Sequence, residues 1–190
     1  MKVFYIKIND EDTTGVDAIS LVDIPAVEHN FLCFNEDKKP VKLKFDGAKH
    51  IITGVICLAD TPIYRINPFT GEEYYVVFTK ETIQKMVEKF AKLDLFKSVN
   101  LQHNDENFVD GIYMFESYLV DKERGILPVE FSDVPNGSWI ASYKVENESL
   151  WNEIVSGNKL NGFSLQGFFD LNEHFNKENN AFDNWLKQYL

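Results

Sequence analysis

The sequence predicts a mainly β domain of the α+β class with peripheral helices. Three observations lead there: many short β-rich runs, few segments with a helical period, and hairpin-like turns such as Pro135-Asn136-Gly137. At 190 residues and 44% hydrophobic content, the chain is long enough to build one core.

The elements follow in order. Residues 2–8 (KVFYIKI) are β-rich. The run VDAISLVDIPA, from Val16, reads as a core strand ended by a proline. The most polar window, NEDKK at 35–39 followed by Pro40, reads as a linker between an N-terminal strand arm (1–34) and a main body (41–171). Residues 49–59 and 73–78 are strands. The clearest helix runs from Lys80 to about Phe96, with Ile83, Met86, Val87, Phe90 and Leu93 on one face and Thr79 or Lys80 at the cap position. Residues 99–103 form a short apolar segment that runs into the polar loop NDEN. Residues 109–120 are a long strand whose glycine marks a bulge. Residues 138–145 are a strand, and residues 148–156 are a short helix stopped by Gly157. Residues 160–171 are a strand with two glycines. The stretch 172–190 is polar, then places Phe182, Trp185, Leu186 and Tyr189 at helical spacing. The whole is one domain over 1–171 with a short amphipathic helix behind it.

Charge narrows the functional classes. There are 19 Lys and Arg against 30 Asp and Glu, a formal charge of −11. Such a surface does not suit nucleic-acid binding or a polybasic membrane anchor. Aromatics at 14% argue for a folded chain. No apolar run approaches about 18 residues, so no membrane span is expected. The N-terminus MKVFYIKINDEDTTG turns acidic where a signal peptide would need its apolar core. Cys33 and Cys57 form no CxxC pair or metal spacing, which suits reduced thiols in a cytosol-like compartment. His103 and Asp105 have no partner at metal-ligand spacing, and no glycine-rich loop opens a helix, so neither metal nor cofactor is expected.

Two residues stand where chemistry could occur. His103, in VNLQHN, ends an apolar strand just before a polar loop, where an imidazole can reach a cleft. Ser164 lies in NGFSLQG, beside Phe163 and flanked by Gly162 and Gly167, and such glycines permit close approach of a substrate or a neighbouring strand. The spacing is not the GxSxG nucleophile elbow. A nucleophilic serine needs a base, and the base needs an orienting group. His103 and Ser164 supply the first pair. Asp17, Asp110, Glu116, Asp170, Glu173 and His174 are the candidates for the third member.

The ordered set of segments from about Ile51 to Phe169 resembles the tailed-phage prohead (capsid maturation) serine proteases, a group with the herpesvirus assemblin-like fold. The matching pieces are ITGVICLADTPIYR, FTKETI, VNLQHN, VDGIYMFESYLV, GSWIASYKV and LWNEIVSGNKLNG leading into FSLQG. Most specific is the combination of His103 with GNKLNGFSLQG. The resemblance implies an assemblin-like β-barrel, Ser164 as nucleophile and His103 as general base, with Gly162, Phe163 and Gly167 as binding positions. In much of the group an acidic residue follows on a strand reading roughly acid-x-S-x-V-x-x-P-A. Here the comparable run, Asp17 to Ala26, precedes the body, so the resemblance implies a circular permutation with Asp17 as third member and Glu116 and Asp110 in reserve. It further implies scaffold and capsid proteins as substrates, autocleavage, and a place in the host cytoplasm inside the assembling prohead. Neither nucleic acid nor membrane is an expected partner, and a homo-oligomer is left open.

Overall fold

The computed structural model describes residues 2–9, 14–23, 43–67, 69–104, 106, 108–156 and 160–172. The linker at 35–40, the stop at Gly157 and the helix within 172–190 lie outside these described residues, as do Glu173 and His174. Among the described residues, eleven strands form three sheets and two α-helices pack beside them. The strands are β1 (Lys2–Lys7), β2 (Gly15–Val22), β3 (Lys44–Asp46), β4 (Ile51–Cys57), β5 (Pro62–Ile66), β6 (Glu73–Val77), β7 (Val99–Leu101), β8 (Ile112–Leu119), β9 (Trp139–Val145), β10 (Gly162–Phe168) and β11 (Asp170–Asn172). The helices are α1 (Lys80–Lys92) and α2 (Glu148–Val155).

The sheets run β11-β1-β6-β5, β10-β2-β7 and β3-β4-β9-β8. The mainly β class therefore holds, but none of the three sheets closes into a barrel among the described residues. The expected barrel is corrected by what lies between β10 and β4. The Phe163 ring sits over Gly54, where a side chain would collide with it and with Leu43. The two strands thus meet through an aromatic ring instead of a continuous ladder.

The core explains the strand sequences. Strands β4 and β9 are covered on both faces and read as nearly unbroken apolar runs. Trp139, Tyr143, Ile140 and Ile52 of this sheet are fully buried. Helix α1 closes one side with Ile83, Met86 and Phe90. Its Phe90 ring meets Trp139 edge-on at 5.3 Å. Thr79 caps it, accepting from the Thr82 amide at 3.2 Å. The helix stops short of Phe96 because Asp94 turns left-handed (φ 54°) and residues Leu95–Lys97 tighten into a 3-10 turn. The Phe96 ring still packs on Phe90 at 5.9 Å. Gly111 lies just before β8 at φ 75°, and the β8 irregularity falls later, between Met114 and Glu116.

Strand β2 is the middle strand of its three-stranded sheet. It pairs antiparallel with β10 on one side and parallel with β7 on the other. The N-terminal run thus lies between the strand carrying Ser164 and the strand that leads to His103.

Candidate active site

Strand alternation sorts the side chains of β2. Ile19 and Leu21 point into the core, and Ser20, between them, faces the other way. Register then sets its neighbours. Ser20 stands opposite Ser164 of β10 and beside Asn100 of β7. Gln166, two residues beyond Ser164, shares that face. Three adjacent strands therefore place Ser164, Gln166, Ser20 and Asn100 together.

His103 reaches this face from the turn that follows β7. Gln102 and His103 both adopt left-handed backbone, each at φ 56°. Two such residues in succession cost about 1–2 kcal/mol each, and such strain accumulates at functional sites. The Gln102 amide donates to the Leu21 carbonyl at 3.0 Å, which ties the turn to β2. The bend brings His103 Nδ1 to 3.0 Å from Ser20 Oγ.

The polar groups form a connected network. Ser20 Oγ donates to Asn100 Oδ1 at 2.6 Å, and Gln166 Oε1 lies 3.3 Å away as a second acceptor. Asn100 Nδ2 donates to Gln166 Oε1 at 2.6 Å. Asn100 and Ser20 are both fully buried, so these bonds satisfy groups that would otherwise be costly to remove from water.

Ser164 is placed differently. It retains 7% of its exposure and lines a cleft of about 310 Å³. Phe163, Leu165 and Gly167 line the same cleft, together with Arg65, Cys57 and Phe168. Among the described residues the Ser164 hydroxyl makes no hydrogen bond, and it stands on the strand next to the His103–Ser20 pair without bonding the ring itself. Gly162 pairs with Val22 at the start of β10, away from the cleft.

The expected third member does not reach the imidazole. The ladder passes from Gln166 opposite Ala18 to Gly167 opposite Val16, leaving Asp17 as the extra residue of a bulge. Asp17 is exposed, and its carbonyl accepts from Ser98 Oγ at 2.7 Å. Ala18, two residues before Ser20 and on its face, is fully buried. The side chains at His103 are those of Ser20 and Gln166. The reserves lie elsewhere: Glu116 is exposed on β8, and the Asp110 carbonyl accepts from Asn147 Nδ2 at 3.2 Å. Asp170 is exposed on β11, paired with Lys7.

Electrostatics around the ring favour a neutral imidazole. Burial lowers the His103 pKa, a hydrogen bond with Gln166 works against it, and the Arg65 charge lowers it further. Arg65 lines the cleft and donates to the Tyr64 carbonyl at 2.9 Å. Burial pushes the Cys57 thiol far up, so this cleft cysteine is not a thiolate nucleophile. A larger cleft of about 550 Å³ runs between the start of α1 and the end of β8, and His103 lines neither cleft. Among the described residues, no cluster of His, Cys, Asp and Glu could hold a metal ion, and no helix is long and apolar enough to cross a membrane.

Ser20, Asn100, Gln166 and Arg65 are thus additions to the residues expected from sequence. The available signal was a polar residue in the middle of an apolar strand: Ser20 in AISLV, Asn100 in VNL and Gln166 in SLQGF. No family model matches the chain, and no curated protein or solved structure matches it.

Proposed function

We propose that this protein is a serine endopeptidase that processes scaffold and capsid proteins, and itself, during phage head maturation. One observation carries the reading. Ser164 lines a cleft and sits directly across from Ser20, whose hydroxyl meets the His103 ring at 3.0 Å. A nucleophile and a base drawn from distant parts of the sequence are thus carried by the two strands that flank β2, Ser164 on β10 and His103 in the turn after β7. The position of β2 beside β10 supports a permuted assemblin-like arrangement, in which the strand expected last is written first.

The chemistry is acyl transfer. Ser164 Oγ attacks the peptide carbonyl carbon while His103 takes the hydroxyl proton. The tetrahedral intermediate collapses, the C–N bond breaks, and His103 returns the proton to the leaving amine. Water then attacks the acyl-enzyme with His103 again as base, and the acid product leaves with Ser164 restored. The step requires Ser164 to come within hydrogen-bond reach of the ring, and catalytic hydrogen bonds often tighten only in the complex. Extended substrate fits beside the sheet, where main-chain hydrogen bonds can hold it. Phe163 and Gly167 border its path.

The second reading is a catalytically inactive structural or scaffold-associated protein with the same fold. The observation favouring it is that the His103 hydrogen bond goes to Ser20 and not to Ser164. Co-expression with a tailed-phage capsid protein separates the two. The protease reading expects a shortened capsid product with the wild-type chain and none with Ser164→Ala or His103→Ala. Full-length capsid protein in all three cases would establish the structural role.

A further inference from the structure

We infer that Ser20 is the positioning residue for His103, holding the ring through Nδ1 and leaving Nε2 as the basic nitrogen that serves Ser164. This rests on the protease reading for its catalytic meaning, but its structural content stands on the hydrogen-bond network alone.

The direction of the bonds gives the argument. A serine hydroxyl has one proton to donate and lone pairs to accept with. Ser20 Oγ lies 2.6 Å from Asn100 Oδ1, an acceptor, so its proton goes there. Asn100 is fixed in that orientation because its Nδ2 donates to Gln166 Oε1 at 2.6 Å. Toward His103 the Ser20 oxygen can then only accept, and Nδ1, at 3.0 Å, must carry the ring proton. An imidazole with its proton on Nδ1 has its free lone pair on Nε2. That is the tautomer a general base needs when it is held from behind through Nδ1.

Burial separates the roles of the two serines. Ser20 has 0% exposure, its proton is engaged, and no substrate carbonyl carbon could approach it. Ser164 is at the cleft, and among the described residues its hydroxyl is unengaged. Among the described residues no acid occupies the orienting position, because Ala18 stands on the Ser20 face and Asp17 falls in the bulge. The groups facing the ring are Ser20 from β2 and Gln166 from β10, and Arg65 of β5 is the charge that acts on it. A neutral hydroxyl can hold the ring and its tautomer, but it adds no negative charge to steady an imidazolium.

The test is ¹⁵N NMR of the full-length protein labelled at histidine, with His103 assigned by loss of its signals in His103→Asn. Wild-type neutral His103 is expected to have a protonated Nδ1 and an unprotonated Nε2. Ser20→Thr, which keeps the hydroxyl, should preserve this pattern, and Ser20→Ala should lose it. The rate of Ser164 labelling by a fluorophosphonate should fall about 10- to 100-fold in Ser20→Ala and recover in Ser20→Thr. Complete loss of a general base costs about 10²–10⁴-fold. Protonation of Nε2 in the wild type would overturn the inference without any variant being needed. An unchanged tautomer and labelling rate in Ser20→Ala would overturn it too. The expected tautomer in a wild-type protein that no fluorophosphonate labels would support the ring-holding role of Ser20 while defeating the protease reading.

Discussion

A histidine can act as a base only while it is neutral, and three surroundings of His103 decide this. Burial disfavours the imidazolium, the Gln166 hydrogen bond favours it, and the Arg65 charge disfavours it again, with a net lowering of the pKa. His103 therefore stays neutral below the ordinary histidine value of about 6.5. The pH-rate profile for fluorophosphonate labelling should accordingly lose activity on the acid side at a midpoint below that value. In Arg65→Gln the midpoint should move upward. Stability follows the same sign. On acidification the unfolded chain protonates first, at the ordinary value, so the contribution of His103 is present above it and is lost as pH falls toward the lowered folded value. A midpoint above 6.5, or one indifferent to Arg65, would contradict this electrostatic description. At this scale, His103 and Ser164 could be picked out as candidates because each stands in a distinctive run, VNLQHN and NGFSLQG. The partners of His103 were not, because Ser20 and Gln166 meet it only through strand register, which no local pattern encodes.

The strand pair β2–β10 carries the site, and its geometry depends on one glycine. A side chain at Gly167 would run into the carbonyl oxygen of Gly15 and the Val16 backbone. These are backbone atoms of a paired strand and cannot swing aside. Gly167→Ala should therefore destabilise the fold by about 1–3 kcal/mol, in the range for overpacking, read as a lower urea midpoint at unchanged slope. Gly47→Ala is the comparison, since open space surrounds that position, and it should stay within about 0.5 kcal/mol. Equal midpoints for the two variants would mean that β2 and β10 are not in this close register. The strongly periodic elements matched their sequence pattern: α1 buries Ile83, Met86 and Phe90 as the spacing requires. Its end came early because Asp94 breaks the helix in a left-handed turn, a conformation that its helix-compatible neighbours conceal. The short strands β3 and β5 were harder to see. Lys44–Asp46 has three residues and no apolar alternation, and Pro62–Ile66 begins on a proline.

Across the whole molecule, the mainly β class follows from composition and turn spacing, but closure does not. Closure needs a ladder between sheet edges, and here β10 meets the interior strand β4 through side-chain packing, with the Phe163 ring over Gly54. The bulge at Asp17 is equally a long-range outcome: the step from Ala18 to Val16 exists only because β10 runs alongside. The charge of −11 is compatible with the proposed protein substrates. The central claim is that the two serines facing each other across β2 and β10 have divided the work, one buried and holding the ring, one open and reacting. Treating the native full-length protein with a fluorophosphonate and locating the adduct by peptide mass spectrometry tests this directly. The account predicts one modified residue, Ser164, with the adduct absent from His103→Ala. An adduct on Ser20, or none on the wild-type protein, would contradict it.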